Sequence, residues 1–291
     1  MNGKIIKILS NDYTVQLENN DIINTKARGV FRNKNITPLV GDNVLIDIDK
    51  KIITEIFERK NELIRPPVSN IDQALIVASA TNPEFSSNLL DKMLTIIEFN
   101  NIKPVIIITK YDLLDDTSYI DIIINYYKKI GYKVFINSKL NEIKKIFKDK
   151  VSILTGQTGV GKSTLINKLT NLNLETNEIS KALGRGKHTT RHVELYKICD
   201  GLLADTPGFS SLSFNDMTKE DIRDNFIEFN DYKDKCKYSD CMHINEDDCE
   251  IKRNVKENII LKERYNNYKK FIDEKSRCKY GSSSFNIKWK R

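Results

Sequence analysis

The stretch Gly156-Gln157-Thr158-Gly159-Val160-Gly161-Lys162-Ser163, followed by Thr164, has the spacing G-x-x-x-x-G-K-[ST]. Its glycines let successive backbone N–H groups curl around an anion. A helix starting there presents unpaired donors and the positive end of its dipole to the same point. Lys162 is spaced to reach the β- and γ-phosphates of a nucleotide, and the Ser163 hydroxyl to hold Mg²⁺. A second set, Thr109-Lys110-Tyr111-Asp112, matches the pattern [NT]-K-x-D. An aspartate at that position accepts from both the N1–H and the 2-amino group of guanine, donors that adenine does not offer in that arrangement, while the lysine stem lies along base and ribose. Such a site rejects the wrong base strongly, because its polar groups would be left unpaired. Together the two sets select GTP, or its product GDP, over ATP. Thr109 stands where asparagine is more usual. Asn137-Ser138-Lys139 lies where a second guanine-supporting loop belongs, so Ser138 and Lys139 join the nucleotide candidates, although the alanine that usually follows such a serine is missing.

Asp205-Thr206-Pro207-Gly208 reads as D-x-x-G, in which Asp205 binds Mg²⁺ through water and the Gly208 N–H contacts the γ-phosphate. Between it and the phosphate loop lies GRGKHTTRHVEL, residues Gly184 to Leu195, with Thr189 and Thr190 as candidates to close over Mg²⁺ and γ-phosphate. His188 and His192 fall in the same loop. A histidine in such a loop is usually a solvated residue, so spacing alone leaves a catalytic role for His188 open. Phe209 occupies the place where many GTPases carry the glutamine that orients the attacking water. A phenyl ring cannot do that, which predicts slow unaided turnover. Farther on, Cys236-x4-Cys241-x-His243-x5-Cys249 sets three thiols and an imidazole within a short polar segment. These four ligands close a tetrahedral structural zinc site with no open position for catalysis, and the metal supplies a fold that the segment's own core cannot. Cys199 and Cys278 stand outside the cluster and read as small core or surface residues.

The elements that must position these residues follow from periodicity. Residues 1 to about 65 carry five short β-branched runs, Ile5 to Leu9, Tyr13 to Leu17, Ala27 to Phe31, Asn43 to Ile48 and Ile52 to Ile56, separated by turn signals. Their number and spacing predict a small closed barrel of OB type, which either binds oligonucleotides or packs on the next domain. Arg59 to Pro67 reads as a connector, its two prolines opposing regular structure. From Asn70 strands and helices alternate, Gln73 to Ala80, Leu89 to Asn100, Pro104 to Lys110, Tyr119 to Gly131 and Lys133 to Asn137 in turn. A short helix near Glu142 to Phe147 leads to the phosphate-loop strand Val151 to Thr155, and two more strands, Val193 to Ile198 and Gly201 to Asp205, close the set. This is an α/β layer with a mostly parallel sheet, its chemistry at the carboxyl ends of the strands. A helix is expected over Val255 to Glu274. The expected domains are 1–66, a barrel; 67–213, a GTPase domain; and 214–291, a zinc-binding helical domain with a basic tail.

The order of motifs is unusual. In ordinary GTPases the phosphate loop comes first and the guanine pattern last, whereas here Thr109–Asp112 precede Gly156–Ser163. The domain is therefore circularly permuted, which is permissible because domain termini lie at the surface and often near one another. The D-x-x-G segment then runs directly into the C-terminal region, so nucleotide state should be passed there.

The 291 residues carry a net charge of +7 and five cysteines. An odd number of cysteines, three of them clustered beside a histidine, fits metal binding in a reducing compartment better than disulfides. No apolar run reaches the roughly 18 residues of a membrane span, and Met1 to Asn11 lacks the apolar core of a signal peptide, so a cytoplasmic location without membrane contact is expected. The positive balance suits RNA, as does the tail from Lys275 to Arg291 with its basic residues and Trp289. A solvated lysine-rich surface and a disordered tail account for the same composition.

A barrel, then T-K-Y-D ahead of G-Q-T-G-V-G-K-S-T, then G-K-H-T-T, D-T-P-G-F and C-x4-C-x-H-x5-C, resembles the bacterial ribosome small-subunit-dependent GTPase family, RsgA, over nearly the whole chain. The resemblance implies a multidomain α/β protein: an OB-fold, a permuted P-loop GTPase domain and a zinc domain. It implies a monomeric GTPase that binds the 30S subunit and 16S rRNA late in assembly, checks the decoding region, helps release a maturation factor, and is stimulated by that subunit. It also implies that His188 is catalytic. Two other readings are a non-catalytic RNA-binding assembly protein that uses GTP as a structural ligand, and a permuted GTPase of the large subunit.

Overall fold

The computed structural model describes residues 1–29, 31, 36–63, 66–170, 193–205 and 213–281. By its contacts the chain forms two units, one of Met1–Phe85, Asn100–Ile120 and Tyr132–Ser211, the other of Ser86–Phe99, Asp121–Gly131 and Leu212–Arg291. The first unit holds an eleven-stranded sheet. Strands β1 (Asn2–Leu9), β2 (Asp12–Leu17), β3 (Ile22–Ala27), β4 (Asn43–Asp47) and β5 (Ile52–Ile56) run in the order β1-β2-β3-β5-β4, and β4 pairs back onto β1 to close a barrel. The period-two rule places Tyr13, Val15 and Leu17 of β2 inside. With Ile5, Phe31, Val44, Ile46 and Ile53 they fill the barrel.

The third strand lies earlier than the run Ala27 to Phe31. A tight turn brings it forward: the Leu17 N–H donates to the Asp21 carbonyl at 2.8 Å and Asn20 takes a left-handed φ of 70°. Strand pairing therefore starts at Ile22, where an exposed Ile22 on the outer face and a buried Thr25 on the inner face break the alternation, and ends before Arg28-Gly29. The connector is also more ordered than its prolines suggest. β6 (Glu62–Leu63) and β7 (Val68–Ser69) pair across Pro66 and Pro67. Arg59 grips buried Asp42 with two bonds, Nε to Oδ1 at 2.7 Å and Nη2 to Oδ2 at 2.8 Å, while Ser69 Oγ donates to the same carboxylate at 2.6 Å. A bidentate pair of this kind fixes direction as well as distance.

The remaining strands are β8 (Gln73–Ser79), β9 (Lys103–Thr109), β10 (Lys133–Ile136), β11 (Val151–Thr155), β12 (Glu194–Ile198) and β13 (Gly201–Asp205). They run β10-β9-β8-β11-β13-β12, all neighbours parallel except β12, which is antiparallel to β13 and hands the sheet on to β1. The described helices are α1 (Ser87–Phe99), α2 (Ser118–Lys129), α3 (Leu140–Lys145), α4 (Lys162–Thr170), α5 (Lys219–Asp224), α6 (Glu250–Lys256) and α7 (Lys262–Gly281). Leu165, Ile166 and Leu169 of α4 and Ile143 of α3 pack with Leu75, Val77, Ile107 and Leu154 of the strands, so the phosphate loop is held between a buried strand and a buried helix face.

The second unit is helical. Phe214, Phe226, Phe229, Ile251, Tyr268 and Phe271 form its core. Thr218 and Asp221 make a capping box that starts α5. The helix expected over Val255 to Glu274 is two helices. Asn258 takes a left-handed φ of 58°, and the Asn254 carbonyl accepts from Ile259 N at 2.9 Å and Ile260 N at 3.1 Å, which stops α6. In the same core Arg264, wholly buried, lies between two buried carboxylates, bonding Asp91 at 2.5 Å and Glu228 at 2.6 Å and 2.9 Å. Tyr127 donates to Asp91 as well, and Asn267 Nδ2 does so at 2.7 Å. Burial pushes the Asp91 carboxyl above the ordinary aspartate value, against the pull of Arg264.

Candidate nucleotide site and metal centre

The carboxyl ends of parallel strands β8, β9, β10, β11 and β13 gather the motif residues along one edge of the sheet. Gly156 leaves β11 with φ +143°, and a Cβ there would stand 2.2 Å from the Val77 carbonyl of the adjacent strand. Only glycine satisfies both conditions. Gly159 and Gly161 follow with φ +83° and +94°, and Leu165 N donates to the Gly161 carbonyl at 2.9 Å as α4 begins. Gln157, Thr158, Ser163 and Thr164 are exposed, whereas Val160 is buried. Lys162, at the start of α4, folds over the loop and donates to the Gly156 and Gln157 carbonyls at 2.7 Å each. Partial burial lowers its pKa from the ordinary lysine value.

The guanine pattern closes on this loop from the end of β9. Buried Thr109 donates through Oγ1 to the Val160 carbonyl at 2.5 Å, so its side chain meets the phosphate loop. Lys110, in a left-handed conformation of φ 57°, donates through Nζ to the Gly159 carbonyl at 2.9 Å and to the Asn82 carbonyl. Tyr111–Leu113 form one turn of 3₁₀-helix, on which Asp112 is exposed. Sequence reading missed the contribution of Asn82, which sits just beyond β8; no spacing rule points to a backbone carbonyl. Ser138 and Lys139 lie just past β10, beside the end of β9, and both are exposed. The Lys139 ammonium is paired with Glu142 at 3.0 Å.

Asp205 ends β13, whose register with β11 sets Ala204 beside Ile153, so its backbone lies next to the strand that feeds the phosphate loop. The Asp205 side chain lies outside the described residues, as do His188, Thr189, Thr190, His192, Gly208, Phe209 and Trp289.

In the second unit the metal-type ligands do converge. The ligand atoms of Cys236, Cys241, His243 and Cys249 all lie within 4.8 Å of one another. His243 Nδ1 is 3.6 Å from Cys236 Sγ and 3.4 Å from Cys249 Sγ, and those two sulfurs are 4.0 Å apart. Zn–S bonds of about 2.3 Å in a tetrahedron require sulfurs roughly 3.8 Å apart, so the cluster fits zinc. His243 would ligate through Nδ1, since that nitrogen faces the sulfurs and Nε2 is the buried, unpartnered one. Burial pushes the imidazole down to about 4, which keeps it neutral and able to bind a metal near pH 7. The knuckle is braced from outside: Glu246 accepts from Met242 N and Ile244 N at 2.8 Å each, and the Tyr265 and Tyr268 hydroxyls donate to the His243 and Met242 carbonyls at 2.7 Å and 2.6 Å.

Comparison with known proteins gives one consistent result. The RsgA GTPase family model matches residues 56–215, and the RsgA N-terminal domain model residues 2–53. Small ribosomal subunit biogenesis GTPase RsgA 2 of Oceanobacillus iheyensis is 51% identical over 283 residues, covering 94% of this chain and 96% of that protein. Small ribosomal subunit biogenesis GTPase RsgA of Bacillus subtilis is 46% identical over 287 residues, with the same coverage of 94% and 96%. Among solved structures, YloQ, described as a circularly permuted GTPase, superposes with TM-score 0.81 at 40% identity, covering 95% of each chain. YjeQ from Thermotoga maritima does so with TM-score 0.82 at 32% identity, over 94% of this chain and 98% of that one.

Proposed function

This chain belongs to the RsgA GTPase family, and from that premise we propose that it hydrolyses GTP on the small ribosomal subunit during the subunit's maturation, with 16S rRNA as its main contact. The observation that carries the nucleotide part is the pair of bonds from Thr109 to Val160 and from Lys110 to Gly159. They hold the end of β9 against the glycine-rich loop after β11, which supports reading the two segments as one site although the chain presents them in reversed order. In this reading Asp112 takes guanine N1–H and the 2-amino group, and Lys110 and Tyr111 line the base. Ser138 and Lys139 support it, while Thr109 holds the loops together.

Backbone N–H groups from Gly156 to Thr164 and the Lys162 ammonium hold the phosphates, with Gly208 N–H on the γ-phosphate. Ser163, Asp205 and Thr189 or Thr190 hold Mg²⁺, which neutralises charge on the phosphates when bound. His188 orients the attacking water when the subunit is bound. Partners raise turnover by roughly 10⁵-fold in other GTPases, so a slow free enzyme and a fast bound one are compatible. The protein works as a monomer in the cytoplasm; no described helix is long and apolar enough to cross a membrane. The zinc cluster is structural.

Pelleting with purified subunits tests the proposal. Retention with 30S in a non-hydrolysable GTP analogue, release in GDP, and no retention with 50S are expected. Equal retention in both nucleotides, or a preference for 50S, contradicts nucleotide-controlled action on the small subunit.

A further inference from the structure

The first unit contains a cleft of about 1190 Å³ at the end of β11 opposite the phosphate loop, where Lys150 and Val151 begin the strand. One wall is barrel, with Lys4, Gln16 and Asn43; the other is the end of the sheet, with Lys150 and Lys197, and Lys60 comes from the connector. Lys4 is the unusual member. It is half-buried, and its ammonium donates to two neutral oxygens, Asn43 Oδ1 at 2.7 Å and the Gly41 carbonyl at 3.4 Å. Among the described residues no carboxylate lies within ion-pair distance of it, and burial lowers its pKa from the ordinary lysine value. Lys150 likewise rests on a neutral oxygen, Gln73 Oε1 at 3.4 Å, and Lys197 is exposed. Of the three aspartates on the rim, Asp72 is already paired with Lys60, while Asp149 and Asp200 are exposed. Asp72 and Asp42 act on Lys4 only from beyond ion-pair distance, with Lys60 opposing them, so this half-buried cation has no contacting counter-charge, and an anion in the cleft offsets the cost of burying it.

The size and lining choose among anions. Small-molecule pockets are typically about 300–1000 Å³, closed and rich in apolar and aromatic groups; this one is larger and open. Among the described residues that line it none is aromatic, so it offers no platform on which unpaired bases stack. Beside the three aspartates and an apolar floor that includes Leu169, Ile198 and Leu202, the lining offers lysines and side-chain amides, which suit phosphates and the 2′-hydroxyls that both donate and accept. Lys4 occupies Asn43 Oδ1, which leaves the Asn43 amide nitrogen for another acceptor.

We propose that this cleft takes the sugar–phosphate backbone of one strand of A-form RNA, through Lys4, Lys150 and Lys197 on phosphates and Asn43 on the ribose, without reading base sequence. The small-subunit reading above supplies the source of that RNA; the chemistry stands apart from the nucleotide site.

The test uses the full chain and a labelled RNA hairpin of about 16 base pairs, a second hairpin with the base pairs shuffled, and the all-DNA twin of the first. Binding is followed by anisotropy between about 50 and 200 mM KCl. Lys4→Met, Lys197→Met and the double variant are compared with the parent, and Lys129→Met serves as an exposed lysine elsewhere. Basal GTP hydrolysis, expected to be unchanged, confirms folding. Each cleft variant should lower the slope of log affinity against log salt by about 1, weaken both RNA hairpins alike, and leave Lys129→Met at parental behaviour, with the DNA twin binding less tightly than RNA. No binding of either hairpin by the parent, unchanged slopes in the double variant, or an affinity that follows base sequence would overturn the proposal. Pelleting with 30S separates the two claims. If the parent pellets but the double variant keeps its RNA slope, only the cleft assignment fails; if the parent does not pellet, the small-subunit reading fails.

Discussion

At the scale of single residues, the proposed function divides the site into groups that meet the nucleotide and groups that hold those in place. It assigns Asp112 to the first kind. A hydrogen bond to a charged group is worth about 1.5–3 kcal/mol, so Asp112→Asn, which loses the charge and one of its two acceptor oxygens and sets a donor against a donor, should weaken GTP by roughly a hundredfold or more and improve binding of xanthosine triphosphate, whose C2 carbonyl accepts. Competition titration of the two nucleotides measures this; unchanged GTP affinity would contradict the base-pocket role proposed for Asp112. Thr109 belongs to the second kind. Thr109→Val leaves the buried Val160 carbonyl without its donor, a loss of about 1–3 kcal/mol, and should raise the GDP dissociation constant about tenfold, whereas Thr109→Ser should bind as the parent does. Calorimetry that finds serine and valine alike would contradict the tether.

At the scale of elements, the second unit holds a buried charge cluster and a cysteine–histidine cluster that fits zinc. Removing one partner from a buried ion pair costs about 3–5 kcal/mol, so Arg264→Met should lower the thermal midpoint by roughly 10 °C. Its pH dependence has a definite sign. Asp91 already sits above the ordinary aspartate value because of burial, with Arg264 opposing; without Arg264 it rises further. The folded variant then binds a proton that the unfolded chain, with its ordinary value of 3.8, does not. That stabilisation is present in acid and lost as pH rises through the folded value. The gap between parent and variant should therefore be smaller near about pH 5 than near about pH 8 by differential scanning calorimetry; a gap that widens in acid would contradict the assignment. For the metal, elemental analysis should find about one zinc per chain, and Cys236→Ser should lose it together with helical signal; full helicity in zinc-free protein would show that metal is dispensable.

Much of this element structure was legible in sequence. Gly156 to Lys162 and Cys236 to Cys249 were readable because chemistry fixes their spacing within a few residues. β3 lies elsewhere than expected because apolar Ile22 faces out and polar Thr25 faces in, so the strand carries almost no apolar alternation. The break at Asn258 was missed because a left-handed asparagine is a weaker stop signal than glycine. Arg264 was invisible for a different reason. A lone arginine in a polar helix reads as solvated, and only the fold brings it to Asp91, Tyr127 and Glu228.

At the scale of the whole molecule, the permuted order places Asp205 and the segment after it directly ahead of the helical unit, with the barrel at the amino-terminal side of the sheet. Likewise Lys4 and Lys197 are far apart in sequence, and the cleft they line exists only because β1 pairs with β12, with Lys7 and Glu194 paired at 2.9 Å. The proposed function makes this arrangement a GTPase switched on by the small subunit. The most direct measurement is the GTP hydrolysis rate of the purified chain alone, with 30S and with 50S subunits, and with ATP as control. The account predicts a slow basal rate that rises strongly with 30S, little with 50S, and no comparable ATP hydrolysis. A rate indifferent to 30S, or equal stimulation by both subunits, would contradict it.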